Sequence, residues 1–259
     1  MHRVSLATTP TIRHELGSFG IRVGEGFVSF ELDEDDERWA ALSAKLSPWQ
    51  AVDLAYTRFT IAELRRAEWL QMLGTWHHGY PQPDEEDFGY LTVSYDSDHR
   101  CALCGIGAVQ KAPFRMKGEP KWGGRRILQL NWVFDEFFST PEVYEDVFAS
   151  LGVASRVVLD STGTRELETV VQLVAAERVS AVLDGYDGQV CPACGRVKYT
   201  PITRGFFPKL QTAPTAHLAR TNEYFGSGAS AYNAILISQE VFRRLRARSV
   251  KGVGFVPVG

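Results

Sequence analysis

All four cysteines of the chain stand in two matched elements, Cys101-Ala-Leu-Cys104-Gly105 and Cys191-Pro-Ala-Cys194-Gly195, with 86 residues between Cys104 and Cys191. A C-x-x-C element sets two thiolates on one tight turn, and two such turns supply the four soft ligands of a tetrahedral structural zinc. Glycine after the second cysteine permits a positive φ. The turn it closes aims backbone N–H groups at sulfur and relieves the thiolate charge. Pro192 stiffens the second turn. One four-thiolate site of Cys101, Cys104, Cys191 and Cys194 therefore explains both the even count and the matched glycines. It would hold one structural Zn2+ per chain and leave no open position for a reacting water. Two separate sites would each need two further ligands, and His99 before Cys101 has no counterpart beside Cys191. Redox chemistry would need only one C-x-x-C pair.

Other residue groups carry weaker chemical signals. Residues 1–100 hold 17 acidic and 9 basic residues, and residues 101–259 hold 14 and 19, within a net charge of −3. The acidic runs 31–37 and 83–89 offer Asp33, Asp35, Asp36, Glu85 and Glu86 to a basic protein partner. The stretch 110–126 interleaves Lys117, Lys121, Arg125 and Arg126 with Phe114 and Trp122, a pattern that can track phosphates and stack bases. A zinc-ribbon nucleic-acid-binding protein is therefore the second functional expectation, and the low overall pI of about 6.1 weighs against it. His77 and His78 are expected at a helix end, where the dipole favours them; the chemical alternative is a general base, or a metal site with His99 and Asp84. No G-x-S-x-G, H-E-x-x-H, Walker A or G-x-G-x-x-G element occurs, so the expectation is a protein that is not an enzyme. The first residues show no apolar leader, and no apolar run is long enough to span a bilayer, so a cytoplasmic protein without a membrane partner is expected.

The elements that must position these groups suggest an α+β fold. Residues 1–97 read as an acidic, mixed α/β region: a strand at 27–32, a helix at 33–46 stopped by Pro48, a helix at 60–76 with a Thr60/Glu63 capping box, a loop at 79–89 and a strand at 90–96. Residues 98–259 read as the double C-x-x-C-G region with a weak internal repeat, 101–160 and 191–258. Each copy runs knuckle, strand, helix, strand: 127–138, 139–153 and 155–160 in the first, 232–237, 238–253 and 254–258 in the second. Thr140 and Ser238 cap the two helices, and Gly152 and Gly252 are their expected stops. The fold expectation is thus two related zinc-knuckle/strand/helix units sharing one zinc.

The motifs CALCG and CPACGR, with the tail ILISQEVFRRLRARSVKGVGFVPV, resemble the double-CXXCG motif family, bacterial proteins expanded as paralogues in myxobacteria. In that family the first cysteine pair lies near the N-terminus, so the first 100 or so residues of this chain fall outside the resemblance. Some members are associated with immunity against polymorphic toxins delivered between sibling cells. The resemblance implies a zinc-stabilised binding protein that caps a cognate toxin, for which a basic nuclease would suit the acidic runs. It transfers no catalytic residue, because the shared positions are metal ligands and core.

Overall fold

The computed structural model describes residues 1–84 and 88–259. Two compact units emerge, Met1–Phe59 with Ile202–Gly205, and Thr60–Pro201 with Phe206–Gly259. The boundary expected at 97/98 is therefore displaced to Phe59, and residues 60–97 fold with the cysteine region. The fold is mixed α/β and mostly sheet. None of the described helices is long and apolar enough to cross a membrane.

The smaller unit is a three-stranded antiparallel sheet in the order Gly26–Leu32, His2–Thr8, Val52–Ala55, with helices Pro10–Ser18 and Trp39–Leu46. Val4, Leu6 and Leu32 pack with Leu16, Leu42 and Leu46 in one core. Alternation then turns the register-matched set Phe27, Val52 and Leu54 to the other face, where all three are exposed. The acidic run makes turns, and its helix starts only at Trp39, six residues later than expected. The cause is Asp36, whose carboxylate is committed to the Arg38 backbone N–H and guanidinium rather than to a helix start at 33. The first helix was not legible from apolar periodicity, although Thr9 caps it and Pro10 occupies its first turn.

In the larger unit, one sheet runs Gly188–Val190, Val197–Tyr199, Leu218–Phe225, Tyr232–Ser238, Trp69–Gly74, Val253–Pro257, with Glu177–Val179 beside Leu218–Phe225. A second runs Arg115–Met116, Ala154–Asp160, Glu166–Val174, Phe137–Ser139, Ile127–Leu128. Two strand–helix–strand segments have the same plan. Phe137–Ser139 and Ala154–Asp160 flank Glu166–Val174, antiparallel to it. Tyr232–Ser238 and Val253–Pro257 flank Trp69–Gly74, also antiparallel. The helical links touch through Arg248 to Asp146 and Arg244 to Ser150.

Several local expectations are corrected. The capping box at Thr60 and Glu63 forms, but its helix covers only Ile61–Arg66. Trp69–Gly74 is a strand because sheet partners on both sides satisfy its backbone and bury Leu70, Gln71 and Met72; tertiary pairing overrides the helical periodicity. Residues 90–94 are helical, and only Tyr95–Asp96 is strand. The segment 127–138 is two short strands separated by turns, with Trp132 at φ 68. The helix after Thr140 passes through a π-helical turn at Tyr144–Phe148 and stops at Gly152 in the left-handed region. The helix after Ser238 ends at Ala247, ahead of Gly252, whose own role is close packing: a Cβ there would strike the Ile127 carbonyl.

Candidate metal centre

Each cysteine pair sits at the tip of an antiparallel hairpin. Tyr95–Asp96 pairs with Val109–Gln110 around the first, and Gly188–Val190 with Val197–Tyr199 around the second. The two turns carry the same backbone bonds. The Cys101 N–H donates to the Ile106 carbonyl and the Cys191 N–H to that of Arg196, both at 2.9 Å. The Gly105 and Gly195 N–H groups donate to the Cys101 and Cys191 carbonyls at 2.8 Å. Both glycines hold positive φ, 79° and 71°, as the spacing predicts.

The tips meet. Cys101 Sγ lies 3.8 Å from Cys191 Sγ, Cys104 Sγ lies 3.7 Å from Cys194 Sγ, and all four sulfurs fall within 4.8 Å of one another. All four thiols are free. Four sulfurs at about 2.3 Å from a central zinc stand about 3.8 Å apart in a regular tetrahedron. The cluster therefore has the size of a four-thiolate metal site. Among the described residues it is the one group of three or more His, Cys, Asp or Glu side chains near enough to share a metal. His77, His78, His99 and Asp84 are not gathered into such a site.

The surroundings suit thiolates. Backbone N–H bonds, first from Cys104, lower the Cys101 thiol pKa. Arg196 donates from Nε to Cys194 Sγ at 3.3 Å and brings that thiol down to about 6. Burial pushes Cys104 up to about 11, so a metal would have to displace its proton. Two tethers here were missed by sequence reasoning. Arg196 Nη2 donates to the His99 carbonyl at 2.8 Å, tying the second turn to the first. Lys198 is buried, and its ammonium donates to the carbonyls of Cys104, Gly228 and Ser230. The arginine was visible in the CPACGR motif, whereas nothing local marks Lys198.

The remaining expected residues are dispersed. Asp33 and Asp35 are exposed, while Asp36 is held by Arg38, whose guanidinium lowers its pKa to about 2. Glu85 and Glu86 lie outside the described residues. Lys117, Lys121 and Arg125 are exposed, but Arg126 donates to the Gly123 and Arg125 carbonyls. Phe114 is fully buried. Trp122 packs on the core, donates to the Thr169 carbonyl at 3.0 Å and meets Trp76 edge-on. Phe114 and Trp122, the aromatics between the cations, thus both pack toward the interior. His77 and His78 follow a strand, not a helix, and desolvation lowers both imidazole pKa values.

The first knuckle also borders a cavity of about 540 Å³ that sequence reasoning missed. On its wall, Arg220 Nη2 donates to Glu136 at 3.0 Å and Gln172 Nε2 donates to the other Glu136 oxygen at 2.8 Å. Burial raises the pKa values of Asp135 and Glu136, against the opposing pull of Arg220.

A scan against protein-family models finds no match, and a search of curated proteins finds none either.

Proposed function

We propose that the chain is a non-enzymatic binding protein stabilised by one zinc at Cys101, Cys104, Cys191 and Cys194. The observation that carries this reading is the sulfur tetrahedron, with cross-hairpin separations of 3.7 and 3.8 Å. It joins two hairpins distant in sequence, and four thiolates fill the coordination sphere, which suits a fastener rather than a reaction centre. On this reading the two strand–helix–strand segments are related copies, each headed by a knuckle. Metal analysis of the purified chain is the test, with one zinc per chain expected. A chain that retains no metal and titrates four free thiols overturns the proposal.

The partner proposed is a basic protein toxin, with the chain as its immunity protein, in keeping with the double-CXXCG resemblance. Support comes from the smaller unit, where one sheet face exposes Phe27, Val52 and Leu54 together with Glu31, which is paired to Arg58, and the turns that follow that strand expose Asp33 and Asp35. An apolar centre with a charged rim suits association in which charge sets the rate and buried side chains set the affinity. Co-expression with the product of the adjacent reading frame tests this: protection from toxicity and a stable complex are expected. A toxic neighbour left unopposed overturns it.

A further inference from the structure

The cavity beside the first knuckle has a charge and shape that the metal centre does not require. Four guanidiniums, of Arg100, Arg156, Arg178 and Arg220, face two carboxylates, of Asp135 and Glu136, which leaves the lining with a formal excess of two positive charges. Arg220 is spent on Glu136 and the Ala175 carbonyl. Arg178 bonds only neutral oxygens, the Thr221 carbonyl and Asn233 Oδ1, each at 3.3 Å. Among the described residues, the Arg100 and Arg156 side chains have neither a hydrogen bond nor an ion pair. Both residues are half-buried, and the planar fork of a guanidinium matches phosphate.

The opposite chemistry lies beside them. Trp132 and Phe134 are large aromatic side chains left 38% and 41% exposed on the cavity wall. Trp132 is held at φ 68, a conformation that a bulky residue adopts only where its surroundings impose it, and such strain concentrates at binding sites. Its indole is the centre of an aromatic cluster, with Tyr80 at 4.4 Å, Phe88 at 4.7 Å and the nearly parallel Tyr90 ring at 6.1 Å, which leaves only its exposed part to a ligand. A carboxylate lies close by: Asp135 Oδ2 takes the Asn233 N–H at 3.3 Å and stands 4.0 Å from Arg220 Nη1, so its hold on Arg220 is loose. By contrast, Gln110 and Gln172 bond one another through both amides and close the lining on their side.

A ligand that satisfies these groups together carries an anion for Arg100 and Arg156, a flat ring for Trp132, and an N–H or amino donor for Asp135. We infer that the cavity binds a nucleoside phosphate, its phosphate on Arg100, Arg156 and Arg178 and its base along Trp132 near Asp135. A volume of about 540 Å³ is ample for one mononucleotide and lies within the usual range for small-molecule sites. This site is independent of the toxin reading, because every residue named belongs to the larger unit.

The test is calorimetric titration of the full, metal-loaded chain with the four common ribonucleoside monophosphates, a free nucleoside and inorganic phosphate. Saturable binding of at least one nucleotide is expected at or below about 1 mM, with quenching of tryptophan fluorescence. Arg100→Gln with Arg156→Gln should weaken the nucleotide at least tenfold and leave the free nucleoside nearly unchanged, whereas Trp132→Ala should weaken both. Should the double variant fail to fold, photo-crosslinking of an azido-nucleotide to the native chain replaces it, with adducts expected on Trp132 or Tyr90. The inference is overturned by any of four results: no saturable nucleotide binding, inorganic phosphate binding as tightly as the nucleotide, adducts elsewhere, or a short RNA binding far more tightly than any mononucleotide.

Discussion

The two knuckle glycines share a backbone conformation but not a setting. Both need positive φ, so alanine at either costs about 1–2 kcal/mol. A Cβ on Gly195 meets open space, whereas one on Gly105 would strike the Ala229 carbonyl oxygen. Gly105→Ala is expected to cost at least twice as much as Gly195→Ala in chemical denaturation, with metal retained in the second. Lys198→Met should cost about 2–4 kcal/mol by stranding three carbonyls that its ammonium reaches. Cys104→Ser should abolish metal binding and lower the melting temperature by about 10 °C or more, since metal-binding free energy is folding free energy. Metal content and a thermal melt on each variant check these three expectations together.

Loops are fastened to sheets in this chain by carboxylates that accept backbone N–H bonds. Glu177, on the strand Glu177–Val179, accepts from the backbone N–H groups of Thr215 and Ala216 and from the Thr215 hydroxyl. The Thr215 backbone bond, first, and that of Ala216 lower its pKa. A carboxylate with a lowered folded-state pKa adds stability that is fully present above its unfolded value, about 4.3. That stability is lost as pH falls through the folded value. Denaturant melts between pH 6 and about pH 3 should therefore show a smaller acid-induced loss for Glu177→Gln than for the native chain. The same distinction between near and distant partners decides what the sequence discloses. The cysteine turns and the caps at Thr60, Thr140 and Ser238 are local, and the spacing revealed them. Trp69–Gly74 reads as helix because its partners lie some 160–190 residues along the chain. The cavity had no signal at all, because Arg100, Asp135, Arg156 and Arg220 become neighbours only when two sheets and a knuckle assemble.

For the molecule as a whole, all four cysteines lie in the larger unit, so a metal bound by them would act on that unit and not on the other. Chelation is expected to speed hydrogen exchange in 95–110 and 188–199, while the sheet of His2–Thr8 and Gly26–Leu32 keeps its protection. Equal loss of protection in both units would contradict that division. The acidic surface separates in the same way. Charge reversal at Asp33 and Asp35 should leave the melting temperature within a degree or so of native while slowing association with a basic partner. Reversal at Asp36 should instead destabilise the smaller unit, because Arg38 loses its three bonds to that carboxylate. Surface plasmon resonance and calorimetry on the same variants distinguish the two outcomes.

The smaller unit includes four residues from far along the chain, Ile202–Gly205. Within it, Thr57 N–H donates to the Thr203 carbonyl, Gly205 N–H donates to the Thr57 hydroxyl, and Arg204 meets Glu34. The polypeptide therefore crosses between the units three times. In hereditary terms, the smaller unit is not a cassette. A recombination break at codon 60 would carry away a piece lacking its own closing segment and leave that segment stranded in the recipient gene. Lineages that exchange N-terminal sequences would have to exchange, or independently re-evolve, the loop at 202–205 as well, so paired changes in 1–59 and 202–205 are the expected trace of such descent.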